Sequence, residues 1–474
     1  MEQKNKKKIS TQTIIKLLLA VVLLGLSAFL LKGDVWTFWT WWLLAGVMGF
    51  AAMPVTGRLF WRFEDKGWIF SKVLAIAATG FLTWFLTAIR LIPFNALTCA
   101  AVTILCAVIC FFLLRKESKE KTECFPVDRI SLIYWEELLF FLAFLMWTYL
   151  AGFRPAAYGT EKFMDYGFME AMMRSTTLPA RDLWYSEGHI NYYYGGQYFA
   201  VFLTKLSHTK VELTYNLMRT FVAGLAFAMP FSLVYQMMSD RMKGQQKSEK
   251  VIKGLPFAAG FTAGTAVSIA GNMHYVIYAQ IIPLIEKLTG KEVSSYWFPD
   301  ATRYIGYNPY REEDRTIHEF PCYSFVLGDL HAHVVNIMFV LLVIAFLYVW
   351  LRGVRKKTVP VETSMKDGKF WKEQLLMPHL LVISALLGMF QWTNFWDFVI
   401  YYVVTLGTVL FANIIRFQGK IKKIMVVTFA QMAEIYLLAY LVILPFTLQF
   451  DTMVDGIGIA KYHSYFYQLL VLWG

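Results

Sequence analysis

Charge is what this sequence lacks most. Asp, Glu, Lys and Arg make up 16% of its 474 residues, while hydrophobic residues make up 57%. Soluble domains carry about 25% charged residues. A soluble fold of this length cannot hide so many apolar side chains, because surface does not shrink fast enough with size. Disorder is excluded by the same numbers. Cysteine is scarce as well, five in all. Cys99, Cys106 and Cys110 share one apolar run, Cys124 sits in a basic stretch and Cys322 stands alone later on. That spacing offers no disulfide framework. The chain has no Walker loop and no dinucleotide fingerprint in a strand-turn-helix setting, which argues against an ATP-driven machine. It has no nucleophile elbow, no internal repeat and no low-complexity linker.

What is present is a series of apolar runs long enough to span a bilayer, which takes about 20 residues each. Eleven stand out: 14–31, 36–53, 68–89, 91–114, 131–151, 216–238, 255–273, 334–351, 376–391, 397–415 and 424–446. They predict an all-α, polytopic transmembrane helix bundle. Lys4, Lys6, Lys7 and Lys8 precede the first run as in a signal peptide, but the run reaches Leu31 without a small-residue cleavage site. It reads as an uncleaved first span with the N-terminus in the cytoplasm. Alternating spans then put 28 Lys+Arg and 12 Asp+Glu on the inner side, leaving 17 basic and 21 acidic residues elsewhere. Basic loops face the cytoplasm, so the +12 net charge sets orientation in a plasma membrane and is no sign of nucleic acid. The run 192–207 breaks this asymmetry if it spans, so it is expected to lie on the outer surface or to dip in partway. Residues 161–176 predict a second surface helix.

The same topology gathers the scattered polar residues at the outer face: Glu161, Asp165, Arg174, Arg181, Asp182, Asn272, His274, His318, Glu319, Asp329, His331, His333, Asn394, Asp397, Asp451 and Asp455. Ionisable groups near membrane depth are expensive and point to function. Glu161 and Asp165 share a helix face; such a pair can bind a divalent ion, supply a base with a raised pKa, or be a solvated face. Asp329-Leu-His331-Ala-His333 suits a metal such as Mn²⁺ or Zn²⁺, a phosphate, or backbone partners at a span entrance. Tyr192, Tyr193 and Tyr194 can stack on sugar rings or anchor at the headgroup level. Trp392, Trp396 and Asp397 pose the same choice. Gly260 and Gly264 have the spacing of close helix packing.

Glu161-Lys-Phe-Met-Asp165, Asp182-Leu-Trp184, Ile190-Asn-Tyr-Tyr-Tyr194, Glu319-Phe-Pro321, Gly328-Asp-Leu-His-Ala-His333 and Trp396-Asp397 together resemble the YYY membrane proteins. This is a multi-pass family of unknown function, and its layout is similar to that of polytopic GT-C-type glycosyltransferases. The resemblance runs from about residue 134 onward. It implies a four-span region, 1–130, followed by a GT-C-like region, 131–474, with outer loops 152–215 and 274–333. The four N-terminal spans find no counterpart in it, and 467–473 reads as the start of a further helix, as if later spans were missing. The resemblance further implies an inverting transferase in which Asp165 matches the catalytic acid of the first loop, supported by Glu161. Arg181, Asp182, Tyr192, Tyr193, Tyr194, His274, Glu319, Asn394 and Asp397 are then candidate substrate contacts. Asp329, His331 and His333 are candidate ligands of a divalent metal (Mg²⁺ or Mn²⁺) or of a phosphate. Outside a cell nucleotide sugars are not supplied, so the expected donor is a polyprenyl-phosphate-linked sugar, with a glycan, lipid or protein acceptor. The competing expectations are a lipid or glycan transporter or flippase, with Gln431, Glu434, Glu136 and Glu137 as polar steps across the bundle, and a metal-dependent membrane hydrolase.

Overall fold

A computed structural model describes residues 10–120, 124–243, 249–354, 365–452 and 458–474. The N-terminal lysines, Lys247 and Asp455 lie outside them. Among the described residues every long element is a helix. Eight helical runs are long and apolar enough to cross a membrane, or ten if each of two bent pairs is one span. The first run, Thr11–Leu59, is itself two helices, α1 (Thr11–Leu31) and α2 (Val35–Leu59). Lys32 breaks it with a φ of 50°, and Trp39 Nε1 donates to Ser27 Oγ at 3.0 Å across the break. Residues twelve apart on one straight helix are about 18 Å apart, so α1 and α2 form a hairpin. Counted so, a helix occupies each of the eleven apolar runs.

The others follow in chain order: α3 (Trp68–Ala88), α4 (Ala96–Glu120), α5 (Ile130–Ala151), α6 (Lys162–Arg174), α7 (Gly195–Ser207), α8 (Val211–Met242) and α9 (Glu249–Ser268). A 79° bend leads into α10 (Met273–Leu288). Then come α11 (Pro321–Leu327), α12 (Ala332–Val354) and α13 (Gly368–Leu375), the last bent by 52° from α14 (Pro378–Thr393). The series ends with α15 (Phe395–Phe417), α16 (Ile421–Val442) and α17 (Phe466–Trp473).

Among the helices long enough to cross a membrane the most enclosed is α8, which packs along α5 and α9. A Cβ on Gly260 or Gly264 of α9 would fall 2.6 Å from the carbonyl oxygens of Phe231 and Phe227 on α8. The small-residue pair therefore serves close backbone approach, the usual basis of helix association in lipid. One continuous buried core runs from Leu23 to Phe446, across residue 130, so the N-terminal helices pack into the same body as the rest.

The run 192–207 does form a helix, α7, but it does not lie on a surface. Gly195 through Lys205 are all buried, and α7 touches α2, α3, α4, α12 and α14. Its buried polar side chains, Gln197, Thr204 and Lys205, each find a partner within the protein. Helix ends gather into two groups. At one end Asn216 reaches Pro155, Thr160 reaches Asp329 and Phe94 pairs with Thr176. At the other, Lys16 meets Ser131, Glu64 meets Gln236 and Tyr348 meets Asp240.

Candidate functional site

The first turn of α6, the segment 319–331 and the start of α12 converge at the former end. Asp165 is 1% exposed. Its Oδ1 accepts from Gln197 Nε2 at 2.7 Å, and the same amide donates to Leu330 O at 3.2 Å. One glutamine of α7 thus ties the acid to the Asp-Leu-His segment, while Asp165 Oδ2 is buried without a hydrogen-bond partner. Burial raises the Asp165 pKa to about 7, against the opposing pull of the His331 charge and the Gln197 hydrogen bond.

Pro321 opens α11 at a position where its missing N–H costs nothing. Gly328 ends that helix with a φ of 94°, a left-handed conformation that glycine adopts freely. A Cβ there would also lie 2.9 Å from Arg219 Nη1 and 3.3 Å from Lys162 Nζ. Two cations therefore reach this turn because it lacks a side chain. Asp329, 2% exposed, follows directly and accepts from Thr160 Oγ1 at 2.6 Å.

The histidines come next. His331 Nε2 lies 3.4 Å from both Asp329 Oδ2 and Glu161 Oε2, and its Nδ1 lies 3.7 Å from Glu319 Oε2. His333 Nε2 is 3.1 Å from that same Glu319 oxygen. Burial opposes a charge on His331, but Glu319, Asp165 and Asp329 outweigh it and hold its pKa up to about 9. Burial likewise opposes the Glu319 charge, yet the two imidazoles keep that carboxyl well below the usual range. Ligand atoms of Glu319, His331 and His333 all lie within 4.8 Å of one another, the spacing of a metal triad.

The remaining candidates divide. Tyr192 and Tyr193 are half-buried with ring centroids 4.3 Å apart, and Tyr192 packs on Phe168 of α6. Tyr194 points the other way. It is 2% exposed and its hydroxyl accepts from Trp84 Nε1 at 3.0 Å, which makes it part of the helix packing. Asp182 Oδ1 accepts from the backbone N–H groups of Trp184 and Tyr185, the work of a turn residue. Arg181 is exposed and bridges to His189 through the backbone. His274 stacks on Tyr278 in a separate aromatic group with Tyr296 and Tyr304. Asp397 Oδ2 accepts from Asn394 at 2.8 Å and from Asn336 at 2.7 Å. Asn336 lies one turn beyond His333, and Asp397 interacts electrostatically with that histidine.

Sequence reading missed Thr160, Lys162, Gln197 and Arg219. Arg219 alone carried a signal, an arginine inside an apolar span. It is 3% exposed, and its guanidinium donates to Phe325 O at 2.6 Å and Asn216 Oδ1 at 2.8 Å.

No curated protein and no solved structure matches the chain. The sequence model of a family described as "Uncharacterized membrane protein (DUF2298)" matches residues 78–474. The match begins inside α3, so α4 and most of α3, expected to lie outside the resemblance, fall within it. Membership also agrees with the side-chain contacts, since Trp84 and Gly80 of α3 hold Tyr194 and Tyr198. By this match over most of its length, this multi-pass membrane protein belongs to the DUF2298 family.

Proposed function

We propose that the chain is an inverting membrane glycosyltransferase that moves a sugar from a polyprenyl-phosphate-linked donor to an acceptor hydroxyl, at the outer face of the plasma membrane. The observation that carries the reading is Asp165: a buried carboxylate with one oxygen held by Gln197 and the other unpartnered, next to Glu161, Lys162, His331 and Arg219. A base with cations close by is what such a transfer requires. Asp165 takes the acceptor proton as the acceptor oxygen bonds to the anomeric carbon from the face opposite the phosphate. The carbon–oxygen bond to phosphate breaks, and its electron pair leaves with the phosphate. Lys162 and Arg219 offset the negative charge that develops there. Tyr192 and Tyr193 offer the flat apolar face that a sugar ring stacks on.

The test is transfer from a panel of radiolabelled polyprenyl-phosphate hexoses in proteoliposomes containing the purified chain. The expected result is acceptor-dependent transfer that Asp165→Asn abolishes. Full transfer by that variant would sink the assignment. Thiol labelling of single cysteines placed at 160–190 in intact cells tests the outer location.

The Glu319, His331 and His333 cluster favours a second reading, a metal-dependent hydrolase of a lipid phosphoester. Acceptor-independent release of sugar or phosphate from the same panel would select it. Of the polar steps of the transporter reading, Gln431 is bonded to Asn413 and Gln374 and Glu137 is paired with Lys72, while oxygens of Glu136 and Glu434 are buried without a hydrogen-bond partner.

A further inference from the structure

We propose that Glu319, His331 and His333 bind a divalent transition metal of the Zn²⁺ type, and that Asp329 positions His331 from behind without being a ligand. The ligand atoms would be Glu319 Oε2, His331 Nδ1 and His333 Nε2. Their spacings to the carboxylate oxygen are 3.7 and 3.1 Å. Zn²⁺ bonds to nitrogen and oxygen near 2.0–2.1 Å, which puts tetrahedral ligands about 3.3 Å apart. Both spacings to Glu319 Oε2 are close to that length, and the three ligand atoms lie within 4.8 Å of one another.

The shell behind them agrees. His331 turns Nε2 toward Asp329 Oδ2, 3.4 Å away, and both atoms are buried without a hydrogen-bond partner. These two orphaned groups face each other. An N–H on Nε2 directed at Asp329 and Glu161 leaves Nδ1 as the lone-pair nitrogen on the side of Glu319. A carboxylate behind a histidine is the common outer partner of a metal ligand, and it fixes the tautomer. Thr160 holds Asp329 from a third side, and Ser324 Oγ donates to Glu319 Oε2 at 2.9 Å. Two of the three ligands are therefore braced by named hydrogen bonds or close carboxylates.

The third ligand, His333, has a side chain 43% exposed, against 19% for His331 and 17% for Glu319. The cluster is open on that side, so a bound ion would keep a position for water or a substrate oxygen, the mark of a reactive and not a structural site. Two imidazoles and one carboxylate suit Zn²⁺, Mn²⁺ or Fe²⁺. They do not suit Mg²⁺, which prefers octahedral oxygen ligands. Among ions that imidazole accepts, Zn²⁺ binds more tightly than Mn²⁺ or Fe²⁺. The Mg²⁺ alternative expected from sequence is accordingly dropped, and Asp329 moves from ligand to positioning residue. Binding stands on this geometry alone. That the open position takes a phosphate oxygen of the donor rests on the glycosyltransferase reading.

The experiment uses the full chain in lipid nanodiscs, stripped with chelator and titrated with Zn²⁺, with Co²⁺ as a spectroscopic substitute. Elemental analysis should find about one Zn²⁺ per chain, and Co²⁺ should give the visible absorption of a four- or five-coordinate site. His333→Ala and Glu319→Gln should abolish both signals. Asp329→Asn should keep the stoichiometry and the Co²⁺ band at saturation while weakening affinity by about 10–100-fold, as loss of an outer-shell partner does. An Asp329→Asn protein that loses the site altogether would make Asp329 a ligand and overturn its assignment. No stoichiometric Zn²⁺ and no Co²⁺ band in the unmodified protein, or equal metal in His333→Ala, would overturn the site. His333 is exposed enough that its alanine variant should fold, and size-exclusion elution checks this. Sugar transfer without metal would end this inference and leave the transferase reading standing. Metal without transfer would do the reverse.

Discussion

Acidic residues gather at both ends of the helix bundle, but they are answered differently. At the end opposite the candidate site three acids, Glu137, Asp240 and Glu64, each find a protein cation. Lys72 Nζ lies 2.5 Å from Glu137, Asp240 meets Lys243 at 3.0 Å and Arg352 at 3.3 Å, and Glu64 meets Arg129 at 3.4 Å. These pairs join the α2–α3 corner, α5, α8 and α12 to one another. At the site end Glu161, Glu319 and Asp329 crowd around two histidines, and buried atoms of Asp165, Asp329 and His331 are left without hydrogen bonds. The same residue types make a lock where cations are built in. They make a receptive site where a proton, a metal or a substrate must supply what is missing.

The largest expected effect tests that difference at the receptive end. Asp165→Asn keeps the shape of the side chain and a partner for Gln197 but removes the base. Proton transfer by a positioned side chain is worth about 10²–10⁴-fold, so transfer should fall by at least about 100-fold with the thermal midpoint in detergent nearly unchanged. A large fall in that midpoint would make Asp165 a structural residue and erase the contrast between the ends.

The lock should answer in the opposite way. Lys72 is fully buried and Glu137 is 21% exposed. Removing one partner of a buried pair costs about 3–5 kcal/mol, largely because the other is left uncompensated. Lys72→Met should therefore lower the midpoint sharply, and Lys72→Met with Glu137→Gln should recover most of it. Recovery is the decisive observation. If the double variant is as unstable as the single one, Lys72 acts through packing and not through charge.

The fold was largely legible because a membrane helix announces itself: each apolar run became a helix, and the Lys-rich and acidic stretches fell at their ends. What a run cannot reveal is whether its surroundings are lipid or protein. That is why α7, expected to lie on the surface or to dip in partway, is instead enclosed by other helices. The site was half legible. Asp165, His331 and His333 were marked by type and spacing. Thr160 and Gln197 were not, since their partners Asp329 and Leu330 lie 169 and 133 residues away. Glu319 was expected as a substrate contact, and only the turn at Gly328 brings it back against the histidines. Tyr194 was grouped with its neighbours by sequence, although adjacent residues leave the chain in different directions.

A smaller effect concerns pH at the lock. Asp65, in the turn between α2 and α3, has no cation in bonding range among the described residues, and neither has Glu136 beside it. Burial raises its pKa from 3.8 to about 6, despite backbone N–H donors from Gly67 and Trp68. The folded chain thus holds this proton more tightly than the unfolded one. The stability it adds is complete below about pH 3.8 and fades as pH rises through about 6. Midpoints should decline from this group between about pH 4 and 6.5 and level off above that range, and Asp65→Asn should flatten that part of the curve. An unchanged slope would mean that another group carries it.

The smallest effect separates motif from site at the receptive end itself. Tyr194 carries the third hydroxyl of the tyrosine triplet, but it accepts from Trp84 Nε1 inside the core. Tyr194→Phe leaves that indole N–H buried without a partner, at a cost of about 1–3 kcal/mol. It should lower the midpoint modestly and leave the transfer rate per folded molecule unchanged. Tyr192→Leu and Tyr193→Leu, which remove the flat faces of half-buried rings beside α6, should do the reverse, raising KM for the donor with a smaller change in midpoint. If Tyr194→Phe instead abolished transfer in a well-folded protein, the core between α3 and α14 would have to open toward substrate, and the receptive region would reach deeper into the bundle than Gln197.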